Sequence, residues 1–167
     1  MNVRDKAIDE KISSIQDKTD DLEQRDRLKN LRIFGVKEEQ NESTDSLVIE
    51  VATKTNVSLQ PGCISRSHRV GPKNSKKTRA IIVNFVSYAD RKKFFQAKKK
   101  LKGSGISIRE DLTKIRQKIL ERASAEYGPS TVWSNDGVIV IKIGETYHRV
   151  KTENELDTLM ADSPAQN

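Results

Sequence analysis

The first 29 residues place Ile8, Ile12, Ile15, Thr19, Leu22 and Asp26 at alternating steps of four and three, in a stretch without Gly or Pro. That is the a/d seam of a coiled coil, and isoleucine at both kinds of seam position favours trimers over dimers. Charged residues cover most of the remaining surface. Such a helix buries too little alone, so the seam Ile8, Ile12, Ile15, Thr19 and Leu22 predicts partner helices over residues 1–29. One amphipathic helix folded back on its own domain is the competing way to cover the same stripe. From residue 30 the apolar period shortens to two. Leu31–Val36 reads as a short strand with Gly35 near its end, and a helix begins at Ser43 or Thr44 and runs through Leu47, Val48, Val51 and Ala52. Asn56–Gly62 is loop, and Cys63–Val70 a second strand.

The run Arg79–Val86 is the central strand, with Ile81, Val83 and Phe85 on one face and Ala80, Ile82 and Asn84 on the other. A helix over Asp90–Leu101 clusters Phe94, Phe95, Ala97 and Leu101 beside lysines. Gly103-Ser104-Gly105 turns into a fourth strand, Ile106–Arg109. Residues 30–109 thus read β-α-β-β-α-β, the ferredoxin-like arrangement on which RNA-recognition motifs are built. The remainder reads as a small α-β-β-β-α domain over 110–161. Asp111 is its expected N-cap, for a helix carrying Leu112, Ile115, Ile119, Leu120 and Ala123 and ended by Gly128-Pro129. Asn135-Asp136-Gly137 closes a hairpin between Thr131–Ser134 and Val138–Ile143, and Thr146–Val150 is a third strand. Thr152 and Glu155 form a capping box for a last helix through Leu156, Leu159 and Met160, and residues 162–167 are expected to fray. The fold class is α+β.

Charge sharpens this picture. The net +7 resides in residues 31–109, where 17 Lys and Arg face 6 Asp and Glu, a surplus of 11; residues 1–30 carry 7 against 8, and residues 110–167 carry 7 against 10. A localised surplus is what a polyanion site requires. Cys63, the single cysteine, rules out an internal disulfide or a cysteine-based zinc site, and with only His68 and His148 besides, neither metal nor cofactor is expected. Cys63 reads as a small buried residue, and the histidines as ordinary hydrogen-bonding groups. No signal-peptide core or membrane-length apolar run is present, so a reducing compartment and no membrane partner are expected.

A basic loop, Arg69–Thr78, precedes the central strand. The expected nucleic-acid contacts are Arg32, Phe34, Arg66, His68, Arg69, Lys73, Lys76, Lys77, Arg79, Asn84, Lys98, Lys99 and Trp133. The typical motif stacks bases on aromatic side chains of its two central strands. Here the corresponding places hold Arg32 and Phe34, then Ala80, Ile82 and Asn84, so charge must carry more of the affinity. About six cations on phosphates would make binding fall on the order of a thousandfold over a fourfold rise in salt. Strand alternation sends either Arg66 or Arg69 to the helix-covered side without saying which. Phe34 either stacks a base or covers a neighbouring strand, Trp133 is a core or a platform residue, and any single lysine fits a solvated helix face. No nucleophile with a base, carboxylate pair in a pocket or metal set emerges. Glu110 and Asp111 adjoin but occupy different faces, and no enzyme activity is expected.

The segments Asn30-Leu-Arg-Ile-Phe-Gly-Val36, His68-Arg-Val-Gly71, Arg79-Ala-Ile-Ile-Val-Asn-Phe85 and Ile108-Arg-Glu-Asp-Leu-Thr113, in that order and spacing, resemble the first open-reading-frame protein of LINE-type, non-LTR retrotransposons. The likeness runs from the heptads to the terminal helix. It implies a trimerising coiled coil, a non-standard RNA-recognition motif and a small C-terminal domain, with RNA held in the cleft between the last two. It also implies a nucleic-acid chaperone that coats single-stranded RNA in cytoplasmic or nuclear ribonucleoprotein particles. Arg32 matches the family's first-strand arginine, Arg69 the one ending the second strand, and Arg79 the basic residue opening the central strand. Lys99 falls near an arginine late in the second helix, and Trp133 lies where the C-terminal domain contributes to the cleft. The chain departs from mammalian members in its shorter coiled coil, in having no basic C-terminal tail and in its net acidic last segment. A competing reading is an oligomeric protein-interaction module whose sheet binds a peptide.

Overall fold

The computed structural model describes residues 2–166 and divides into two compact units, one spanning Leu28–Asp111 and the other combining the segment that ends at Arg27 with everything from Leu112 onward. Five α-helices and seven strands are found among the described residues.

In the middle unit the order is β1 (Asn30–Phe34), α2 (Thr44–Lys54), β2 (Ile64–Arg69), β3 (Ile81–Phe85), α3 (Tyr88–Gln96) and β4 (Ser107–Glu110); the chain's first helix, α1 (Val3–Asp26), belongs to the other unit. The strands form one antiparallel sheet in the order β2-β3-β1-β4, so β1 and β3 are central. Leu31, Ile33, Ile81, Val83, Phe85 and Ile108 point to one face, where Val48, Val51 and Ala52 of α2 and Phe94 of α3 join them in a sealed core. Phe85 and Phe94 meet edge to face with centroids 6.0 Å apart, a geometry that adds ~0.5–1.5 kcal/mol to their burial. The expected lysine helix is shorter than its period implied: α3 stops at Gln96 and Ala97–Leu101 continues as a 3-10 turn that still buries Leu101. Arg91 and Glu110 form a buried ion pair in this layer. Gly35 sits at φ +87°, and a Cβ there would lie 2.0 Å from the Gly105 carbonyl oxygen, so the exit of β1 accepts glycine alone.

The second unit contains α1, α4 (Lys114–Tyr127), β5 (Val132–Asn135), β6 (Val138–Ile143), β7 (Thr146–Val150) and α5 (Glu153–Asp162), with an antiparallel sheet ordered β5-β6-β7. Ile139, Ile141, Val132 and Val150 pack on Ile119 and Ala123 of α4 and Leu156 of α5. The Asp-Gly turn is formed as the sequence predicts, with Asp136 at φ 51° and Gly137 at φ 80°. Of the expected capping box, the Thr152 half is in place: its hydroxyl caps α5, accepting from the Glu155 amide at 3.1 Å. The expected cap at Asp111 is corrected: Thr113 caps α4, accepting from the Arg116 amide at 3.1 Å, while Asp111 is buried as an ion-pair partner in the other unit.

The face that α1 buries is not its isoleucine stripe. Asp20 and Gln24 are its buried residues: Gln24 Oε1 accepts from the Thr113 amide at 2.9 Å, and Arg116 Nε donates to Asp20 at 2.8 Å. A Cβ at Gly137 would come within 2.4 Å of Gln24, so that glycine serves both the turn and this close approach. The stripe itself is open, with Ile8 and Ile12 at 49%, Ile15 at 59% and Leu22 at 61% exposure, and Thr19 exposed between them.

Candidate nucleic-acid interface

The face of the four-stranded sheet opposite its core is built by register. Arg109 pairs with Arg32, Arg32 with Ile82 and Ile82 with His68, so one row across all four strands carries three basic or titratable side chains and one apolar one. The adjoining row joins Asn30, Asn84 and Arg66, and Phe34 pairs with Ser107 on the far side. Arg66 shares this face because β2 carries a bulge between Ile64 and Arg66. The extra residue, Ser65, shifts the alternation by one, which turns Arg66 and His68 outward and Ser67 and Arg69 toward the helices.

Arg66 is exposed and has no hydrogen bond or ion pair among the described residues. Arg109, exposed on β4, lies 5.1 Å over the Phe34 ring, which keeps both Phe34 faces from being free and puts a charge beside the one aromatic side chain here. Arg32 is tied through Nε to the buried carboxylate of Asp111 at 2.8 Å. The same carboxylate accepts from Asn30 at 3.0 Å, and Asn30 accepts from Asn84 at 2.6 Å. This chain fixes the centre of the face, and Arg32 shows its remaining N–H groups with about a third of the side chain exposed.

The other expected contacts divide sharply. Lys73, Lys76 and Lys77 stand exposed in the loop between β2 and β3. Arg69 does not join them. Its side chain is 4% exposed, and all five guanidinium N–H groups are engaged: two on Glu42 at 2.7 and 3.1 Å, the others on the carbonyls of Val36, Arg79 and Lys37 at 2.8, 2.7 and 3.0 Å. Its role is to fasten the loop after β1. Arg79 contacts Glu38 through Nε and Nη2 and the Gly71 carbonyl through Nη1 at 2.9 Å. The hydrogen bonds from Arg69 and Arg79 hold the Glu42 and Glu38 carboxyls below the ordinary carboxylate range, so both stay charged at neutral pH. Lys98 and Lys99 lie in the 3-10 turn after α3, within the layer that covers the core side of the sheet. Lys98 stacks on Phe95 at 3.7 Å, and burial pushes its ammonium pKa down.

Compared with models of known protein families and with curated proteins, the sequence matches none.

Trp133 belongs to the second unit, on the outer face of its three-stranded sheet and 39% exposed. It meets Tyr147 edge to face at 6.0 Å, and Lys142 lies 5.8 Å from the Tyr147 ring. Register puts Arg149 beside them through Val140. Sequence reasoning missed Arg109, Lys142, Tyr147 and Arg149. The alternation of Ile106, Ile108 and their neighbours already turned Arg109 outward, and the run Val138–Ile143 did the same for Lys142. No group of three or more His, Cys, Asp or Glu side chains suited to a metal exists among the described residues, and no described helix is long and apolar enough to cross a membrane.

Proposed function

We propose that the chain is a single-stranded nucleic-acid-binding protein that grips RNA chiefly by its phosphates, through a sheet of the RNA-recognition-motif kind. The reading extends to a nucleic-acid chaperone of a LINE-type retrotransposon ribonucleoprotein, working as a homotrimer joined through the α1 stripe. The observation that carries it is the outer sheet face: Arg66 beside Asn84, Arg32 at the centre and Arg109 over Phe34 share it, next to a loop with three exposed lysines, and Asp111 is the one carboxylate paired with these arginines among the described residues. A phosphate-tracking groove with a single stacking aromatic has low sequence preference, since every base has a π-face and every nucleotide a phosphate. Weak heads joined in an oligomer bind a long strand far more tightly than one head does.

Lys76→Ala with Lys77→Ala is the direct test, read by fluorescence anisotropy on several oligoribonucleotides. Affinity is expected to fall by a similar factor for every sequence, and the slope of log K against log salt to become shallower by ~1.4, at ~0.7 per lost contact to a single strand. Losses confined to particular sequences would contradict backbone binding. A peptide-binding adaptor would show little salt-dependent affinity for a random single strand in the first place.

A further inference from the structure

The two arginines bound by the acidic loop are not equivalent. Arg69 has no N–H left to offer, and Glu42 beneath it is only 14% exposed. Arg79 is different. Glu38 takes its Nε and Nη2, the edge on which a guanidinium binds a phosphate with two parallel hydrogen bonds, and Gly71 takes one Nη1 proton. Two of its five N–H groups have no partner among the described residues. The Glu38 side chain is 31% exposed, so it can leave without opening the core. Around the pair runs an open groove of about 900 Å³ whose lining includes Glu38, Glu39, Glu42, His68, Lys73 and Arg79. It therefore contains both a lysine of the basic loop and His68 of the outer sheet face.

We propose that Glu38 is a built-in competitor for phosphate: its carboxylate fills the Arg79 fork in the free protein, and a backbone phosphate of a bound strand displaces it. The inference rests on the nucleic-acid-binding reading above and adds to it a selection by length. A lone phosphate or mononucleotide must oust a carboxylate tethered next to the fork, which acts at a high effective concentration. A strand already held at Lys73, Lys76 and Lys77 presents its next phosphate on equal terms, so polymers open the site and monomers do not. The loop suits the task, since Lys37–Glu42 holds three glutamates against one lysine. Glu39 provides an internal control: it lines the same groove but its ion-pair partner is Lys37 at 3.7 Å and not Arg79, so its removal changes the groove's charge by the same amount and leaves the Arg79 fork filled.

The experiment compares wild type, Glu38→Gln, Glu39→Gln, Arg79→Gln and the Glu38→Gln/Arg79→Gln pair. Inorganic tripolyphosphate is titrated by calorimetry and a random-sequence oligoribonucleotide by anisotropy, with thermal unfolding to confirm that each variant is folded. Glu38→Gln is expected to bind tripolyphosphate about three- to fivefold more tightly than wild type, the scale of releasing one partly exposed ion pair, with a smaller gain for the oligoribonucleotide. Glu39→Gln should stay within about 1.5-fold of wild type, and the gain should vanish in the Arg79→Gln background. Equal effects of Glu38→Gln and Glu39→Gln, or a gain that survives Arg79→Gln, overturn the competitor. If wild type ignores the oligoribonucleotide while Glu38→Gln still gains tripolyphosphate affinity through Arg79, the competitor stands and the nucleic-acid function falls.

Discussion

Arg116→Ala is expected to destabilise the second unit by ~3–5 kcal/mol, the usual cost of removing one partner from a buried ion pair. Arg116 and Asp20 are 2% and 4% exposed, joined at 2.8 Å, and Arg116 also donates to Asp21 at 3.2 Å and to the Gly137 carbonyl at 2.7 Å. Its position in the first turn of α4 is unfavourable for a cation by ~0.3–1 kcal/mol, so these contacts outweigh the helix dipole several times over. Truncation strands the Asp20 carboxylate, whose Oδ1 already has no hydrogen-bond partner among the described residues. Trp133 is the only tryptophan and belongs to this unit, so its fluorescence during urea unfolding follows the loss. Pairing Arg116→Met with Asp20→Leu should recover most of the stability, because the charge is then removed from both sides. A single-variant loss below ~1 kcal/mol would mean the pair is solvated, contrary to its burial.

The second large effect is expected at the open stripe of α1. If α1 joins three chains as proposed, the intact chain should scatter as a trimer and the Ile8, Ile12 and Ile15 to Gln variant as a monomer, since nothing within the chain covers these half-exposed side chains among the described residues. Apparent affinity for a long single strand should drop by a factor of ~100 or more as avidity is lost, while affinity for a strand short enough to fit one head stays the same. An unchanged particle mass would remove the stripe as an assembly surface. Loss of affinity for the short strand as well would show that the helix acts on the head and not through assembly.

How far the sequence announced this fold depends on what set each element. The period-two runs of β1 and β3 and the apolar positions of α2 were legible because burial on one side imposes them directly. The Asp-Gly turn and the Thr152 cap were legible because their chemistry is local. The faces of β2 were not, since an inserted Ser65 inverts the alternation and nothing in the residue types marks a bulge. Asp111 failed as a predicted cap for a related reason. A carboxylate before a helix is the common signal for an N-cap, and a distant Arg32 and Asn30 claimed it instead. The candidate site was legible as a basic segment and much less so as a surface. Composition counts Arg69 and Arg79 as two of the surplus cations, yet the fold pairs them with Glu42 and Glu38 of the segment between β1 and α2. Arg109 moves the other way, from an unremarked strand residue to the outer face beside Phe34.

Arg69 has no N–H left, and a phosphate reaching Arg32 or Arg79 shares or replaces a carboxylate already there, so the cations that neutralise phosphates outright are Arg66, Arg109, Lys73, Lys76 and Lys77, and they set the number that decides the account. The measurement is the affinity of the intact chain for a random-sequence single-stranded oligoribonucleotide of one-head length as salt rises from 50 to 200 mM. Contacts from these residues predict a log–log slope of about −3.5 and a loss of about a hundredfold across that range. A slope shallower than about −1, or no affinity at the lowest salt, would contradict phosphate binding by this face.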